Sequence, residues 1–175
     1  EEESGHETIL GMLGIHRDAS SFLEELSRHQ PELLKHTSIV DFNVALHPSI
    51  RALGAHVVYG DISNEEALLH AKIDRARIVL CSIPDNLLRG IDTAALVKLV
   101  RHVNPGATII ANAIHISDWQ KLREAGADIV YLPHLEVAKT ILDAFNHAYD
   151  QEIEIYEAQQ IERFGTPESR HEIMD

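Results

Sequence analysis

The stretch Ala55-His56-Val57-Val58-Tyr59-Gly60-Asp61 decides the fold, because a short apolar run ends there in a glycine and an aspartate. It is one of a series of short apolar runs that alternate with segments of helical periodicity. This alternation is typical of βαβ units, which build a parallel sheet covered by helices on both faces. Six strands are predicted, at residues 8–13, 38–43, 56–59, 77–82, 108–112 and 129–132.

Helical periodicity separates and follows these strands, and it predicts helices at residues 19–29, 45–53, 64–70, 91–102, 117–125 and 135–149. Beyond 149, apolar residues at Ile153, Tyr156 and Ile161 indicate one more amphipathic helix, which Gly165 and Pro167 end. The predicted organisation is therefore a linker over 1–7, an α/β domain with a Rossmann-like parallel sheet over 8–149, and a helical, partly disordered tail over 150–175.

Composition excludes several classes of protein. The chain has 28 acidic and 15 basic residues and a formal charge of −13, which disfavours binding to nucleic acid. Its one cysteine, Cys81, cannot form an internal disulfide, so a reducing compartment fits. No apolar run has the roughly 20 residues needed to span a membrane. The 12 histidines are scattered without metal-ligand spacing, so no metal site is predicted.

Five stretches of the sequence together resemble a known family. They are Leu13-Gly14-Ile15-His16-Arg17-Asp18-Ala19, Val40-Asp41-Phe42-Asn43, Tyr59-Gly60-Asp61, Val79-Leu80-Cys81-Ser82 and Glu124-Ala125-Gly126-Ala127-Asp128. With them, residues 8–149 resemble the RCK/KTN (TrkA-N) domain, the Rossmann-like regulatory module of potassium channels and transporters. The similarity is greatest to the version fused to Kef-type cation/proton antiporters.

The resemblance implies a function and an assembly. We expect a gating domain on the cytoplasmic side of the cell membrane, attached to or acting on a transporter of potassium or another monovalent cation. It also implies a homodimer in which the helix at 135–149 is a crossover arm. The apolar positions of that helix outnumber those that one sheet-facing stripe requires, although a fully covered core helix is the alternative. No catalytic constellation is visible, so an enzyme is not predicted.

The first turn departs from the G-x-G-x-x-G pattern, in which missing side chains permit a tight turn and close approach to phosphate. Gly14 holds the first position, but His16 and Ala19 hold the second and third. His16 either contacts a phosphate, with help from Arg17 and the helix N-terminus, or fills the pocket. We therefore expect an adenine mononucleotide (AMP, ADP or ATP) rather than NAD. The alternative is a structural dimerisation domain with a vestigial nucleotide site and no ligand.

Three further polar residues follow predicted strands and complete the candidate binding set with Gly14, His16 and Arg17. Asp41 stands where an acidic residue accepts hydrogen bonds from a ribose, or is a solvated strand end. By resemblance Asp61 lies beside the adenine and ribose, with a helix cap near Ser63 as the alternative. Ser82 is expected to face the crevice of the sheet, or to end its strand in a turn. Asn112 supplies no charge where the family often has a basic residue.

Overall fold

A computed structural model describes residues 7–175 and contains a six-stranded parallel sheet in the order β3-β2-β1-β4-β5-β6. The strand order reverses between β1 and β4, so the sheet is doubly wound and the predicted Rossmann-like α/β fold is confirmed. Residues 1–6, most of the predicted linker, lie outside the described residues. The strands are β1 Leu10–Leu13, β2 Thr37–Asp41, β3 His56–Tyr59, β4 Ile78–Cys81, β5 Thr108–Asn112 and β6 Ile129–Tyr131.

The helices match the predicted series. They are α1 Arg17–His29, α2 His47–Ala52, α3 Glu65–His70, α4 Thr93–Val103, α5 Asp118–Ala125, α6 Pro133–Tyr149 and α7 Ile153–Phe164. α2 is shorter than predicted because a 3-10 turn, Val44–Leu46, precedes it. Pro48 then occupies the first turn of α2, where a missing N–H costs no helical hydrogen bond. None of the helices described over residues 7–175 combines the length and apolar character that a membrane span needs.

Burial follows the position of each strand in the sheet. Every residue of β1 and β2 is buried, as expected for inner strands with helices on both faces. The edge strand β3 exposes His56 and Tyr59. Because the β-α-β crossovers are right-handed, the reversal of strand order places the helices of the two halves on opposite faces. The segments that leave the carboxyl ends of β1 and β4 thus run to opposite faces of the sheet, and a crevice lies between them.

The chain forms two compact units, a sheet domain of residues 7–131 with Glu172–Asp175 and a helical unit, Leu132–His171. α6 belongs to the helical unit, and none of its residues is buried within the described chain.

The end of the chain contains a short helical turn and a contact with α1. Pro167–Ser169 forms a 3-10 turn, and the Met174 N–H donates to Ser20 Oγ at 2.8 Å. Ile173 packs against the core of the sheet domain. Partial burial of Ile173 and Met174 holds this segment against the sheet domain.

Candidate functional site

A cavity of about 480 Å³ opens in the sheet domain at the carboxyl ends of the strands. Its wall is built from the segments that follow β1, β2, β3 and β4, together with Met174. This is the topological switch point, where open α/β sheets bind their ligands. The volume lies within the usual range of small-molecule sites, roughly 300–1,000 Å³.

Gly14 ends β1 at the wall of this cavity and takes a conformation that other residues rarely adopt. Its φ is +79°, and a Cβ added there would lie 2.9 Å from Ile83 Cγ1. Its N–H donates to the Val40 carbonyl at 2.7 Å, which ties the turn to β2. Glycine at this position therefore permits the β1–α1 turn and the close approach of the segment after β4.

His16 is the N-cap residue of α1 and lines the cavity. Its backbone is extended, and its side chain makes no capping hydrogen bond. The half-buried imidazole therefore remains available to the cavity, which stays open with this side chain in place. Arg17 begins α1 beside it but is exposed and is not part of the cavity wall.

Asp41 is in the wall and only 2% exposed. Its carboxylate accepts the Ile15 N–H at 2.8 Å through Oδ2 and the Asn43 N–H at 2.6 Å through Oδ1. These bonds join the segment after β1 to the segment after β2. Asp41 thus shapes the crevice, and a ribose hydroxyl would be an additional partner for oxygens that already accept backbone donors.

Asp61 is also in the wall, but it is exposed. Its Oδ1 accepts from both the N–H and the Oγ–H of Ser63, at 2.8 and 2.7 Å. The N-cap of α3 is Asn64, which accepts the Ala67 N–H at 3.2 Å, so Asp61 forms a local turn ahead of the helix.

The wall residues that were not candidates from the sequence include Phe42, Tyr59, Arg89 and Met174. Phe42 and Tyr59 are 73% and 68% exposed, although each lies at or just after the end of an apolar strand. Both were predicted only as strand residues, so the sequence did not indicate that they line a cavity. Arg89 lies in the segment between β4 and α4 and places a cation in the wall. Met174 comes from the far end of the chain.

Ser82 and Asn112 lie apart from this wall, in a polar cluster with Asp18 and Tyr131. Asn112 Nδ2 donates to Asp18 Oδ2 and to the Ser82 carbonyl, both at 3.2 Å, and the Tyr131 hydroxyl donates to Asp18 Oδ2 at 3.4 Å. Burial, and then the charge of Asp18, raises the pKa of Tyr131, which keeps the phenol a hydrogen-bond donor. Within the described residues, Ser82 Oγ and Asn112 Oδ1 are buried without partners.

The doubly wound sheet, the glycine at its first turn and the cavity at its switch point define a Rossmann-like domain. The chain belongs to the TrkA-N domain family, whose model matches residues 12–133. The sequence is 30% identical over 94 residues to YbaL of Escherichia coli K12, which is named as a cation/proton antiporter. It is 35% identical over 78 residues to probable potassium channel protein 2 of Methanocaldococcus jannaschii. These matches cover 54% and 45% of this chain, but only 16% and 22% of the two relatives.

Solved structures share the fold. The TrkA-N domain of the E. coli inner membrane protein YbaL has a TM-score of 0.67 at 24% identity, over 78% of this chain and 95% of that one. The GsuK channel bound to NAD has a TM-score of 0.60 at 23% identity, over 76% and 22%. The Kef C-terminal domain of Shewanella denitrificans, in its AMP-bound form, has a TM-score of 0.51 at 14% identity, over 89% and 95%.

Proposed function

We propose that this chain is a regulatory domain of a transporter or channel for potassium or another monovalent cation, on the cytoplasmic side of the cell membrane. An adenine nucleotide, bound in the cavity, shifts the domain between two arrangements and so controls transport. The observation that carries the proposal is the open cavity at the switch point, with Gly14, His16 and Arg89 in its wall. Relatives named as an antiporter and a channel support the transport role. The ligand is an effector here, and no reaction is assigned to it.

The wall offers a partner for each part of an adenine mononucleotide. Phe42 and Tyr59 provide exposed aromatic surface for the purine. The hydroxyls of the ribose face a wall that contains the Asp61 carboxylate. Arg89 and the beginning of α1 favour a phosphate, and none of the ion pairs within residues 7–175 uses Arg89. A mononucleotide fits this set better than NAD, since His16 occupies the position where a dinucleotide fold brings bare backbone to the pyrophosphate.

The test is isothermal titration calorimetry, in which AMP is titrated into the wild-type chain and into the Arg89→Ala variant. Loss of a charge-assisted hydrogen bond costs about 1.5–3 kcal/mol, so affinity should fall roughly 10- to 150-fold. Arg75→Ala is the matched control, because Arg75 is an exposed arginine ahead of β4, at the opposite end of the strands. If Arg89→Ala and Arg75→Ala bind AMP alike, the assignment of Arg89 to the phosphate fails.

His16 distinguishes the proposal from a structural domain with a vestigial nucleotide site. In the proposed site the imidazole contacts the phosphate, so His16→Gly should weaken AMP binding. If the side chain only blocks the turn, the same variant should bind AMP more tightly than the wild type. The cavity that remains open beside His16 favours contact.

The helical unit is proposed to form a homodimer interface. α6 exposes Val137, Ile141, Leu142 and Phe145 by 54–62%, and Tyr149 by 78%. At 100° per residue these positions fall on one side of the helix. α7 adds Ile153, Ile155 and Ile161, which are 49–59% exposed. An apolar face this continuous is typical of a protein interface, and a second copy of the chain would bury it.

Light scattering after gel filtration tests this interface. We expect a dimer for the wild type and a monomer for Ile141→Asp, because a carboxylate at the centre of the face cannot be buried without a partner. Lys139→Asp, on the polar side of α6, is the control and should leave the dimer intact. A wild-type chain that stays monomeric at micromolar concentration would contradict the proposal.

A further inference from the structure

The candidate cavity extends from the first half of the sheet only as far as the segment after β4. Its wall residues follow β1, β2, β3 and β4, and none of those in the described chain follows β5 or β6. A doubly wound sheet binds a dinucleotide across the crevice, with one nucleotide on each half. A separate cavity on the second half, which includes Asn112, has a volume of about 30 Å³. That volume has space for about one water molecule.

The Asp18 carboxylate closes the half of the site that lies beside β5 and β6. Asp18, in the first turn of α1, accepts from Asn112 Nδ2 at 3.2 Å and from the Tyr131 hydroxyl at 3.4 Å. Asn112 ends β5 and Tyr131 ends β6, so one side chain connects α1 to the carboxyl ends of two strands. Asn112 is itself 2% exposed and also donates to the Ser82 carbonyl, which fixes its amide.

The charge of Asp18 is the opposite of what a second phosphate needs. The N-terminus of α1 favours an anion on the side of the cavity, whereas on the side of β5 and β6 the Asp18 carboxylate already occupies the first turn. Neither Asn112 nor the neutral phenol of Tyr131 neutralises it. A phosphate that continued from the cavity toward β5 would approach this carboxylate and would have to displace its two hydrogen bonds.

We propose that Asp18, held by Asn112 and Tyr131, is the specificity-determining residue that limits the site to one adenine mononucleotide and excludes a dinucleotide. This inference rests on the proposed adenine-nucleotide site and adds the residue that selects the ligand. His16 affects the approach of any phosphate to the first turn, whereas Asp18 acts only on what extends past it.

The experiment measures the preference of the full chain for AMP over NAD, as the ratio of the two dissociation constants from calorimetry. Asp18→Asn removes the charge at nearly constant shape, and Asp18→Ser also shortens the side chain. In both variants the preference for AMP should fall about tenfold, the equivalent of ~1.4 kcal/mol. Glu32→Gln, an exposed acid beyond the end of α1, controls for net charge and should leave the ratio unchanged within about twofold.

The outcomes separate this inference from the proposed function. If the wild type binds AMP and the ratio is the same in both Asp18 variants, the role of Asp18 is refuted and the nucleotide site stands. Equal wild-type affinities for AMP and NAD would refute it in the same way. If neither ligand binds the wild type or the variants, the proposed function fails, and the inference fails with it.

Discussion

Replacement of Gly14 by alanine tests the turn that positions the candidate site. The residue has φ +79°, and an added Cβ would lie 2.9 Å from Ile83 Cγ1 and 3.0 Å from its Cδ1. The left-handed conformation costs a residue with a Cβ about 1–2 kcal/mol. The overlap with Ile83 adds about 1–3 kcal/mol, because the packed segment after β4 must move. The free energy of unfolding should therefore fall by about 3 kcal/mol.

Two other glycines separate these contributions. Gly54 has φ +98° but no atom within 4 Å of an added Cβ, so Gly54→Ala reports the conformational cost alone. Gly106 has neither a positive φ nor a close contact, so Gly106→Ala should change stability by less than about 0.5 kcal/mol.

Urea denaturation at constant m-value measures all three free energies, and thermal melting checks the ranking. For a chain of this length, 3 kcal/mol corresponds to a fall in Tm of roughly 6–12 °C. If Gly14→Ala is no less stable than Gly54→Ala, the contact with Ile83 does not constrain the turn and the reasoning is refuted.

Three further predictions concern the sheet domain. Burial raises the pKa of Cys81 to about 12, so at pH 8 only roughly one thiol in 10⁴ is ionised, and a disulfide reagent should modify it only after unfolding. The Ile109 N–H, and then Arg101, lower the pKa of Asp128, so its contribution to stability is present above its ordinary pKa of 3.8 and is lost as the pH falls through the lowered value. Asp128→Asn should therefore destabilise the chain in urea at pH 7 and destabilise it less at pH 2. Ser20→Ala removes the acceptor of the Met174 N–H, so hydrogen exchange at Met174 should accelerate, whereas Ser169→Ala should leave it unchanged. Rapid modification of native Cys81, an Asp128→Asn defect of equal size at both pH values, or unchanged Met174 exchange would contradict these accounts.

The sequence predicted the sheet because its strands carry their own signal. Buried parallel strands are continuous apolar runs, and the inner strands β1 and β2 are fully buried, so the pattern was unambiguous. Gly14 was predictable for a related reason, since only glycine fits the turn that follows β1. His16 was predicted as a site residue because it departs from the glycine pattern of the same motif.

The rest of the site depends on contacts that no local pattern encodes. Tyr131 bonds to Asp18 across 113 positions, and Met174 bonds to Ser20 across 154. Arg89 reaches the cavity only because the strand order places β4 beside β1. Phe42 and Tyr59 have the composition of strand residues, and their exposure shows only in the folded chain.

In the helical unit, too, the sequence pattern did not predict which side chains are exposed. Its apolar residues predicted a second buried face on the helix at 135–149, and the structure leaves the corresponding side chains of α6 exposed. The sequence predicted that this face is apolar, but the exposure of its side chains is apparent only in the folded chain.

Chemical-shift mapping of the labelled 175-residue chain with AMP tests the central claim most directly, because it reports both binding and location. The account predicts saturable shifts at the amides of Gly14, His16, Asp61 and Arg89, which surround the cavity. An unchanged spectrum, or shifts confined to residues outside this wall, would contradict it.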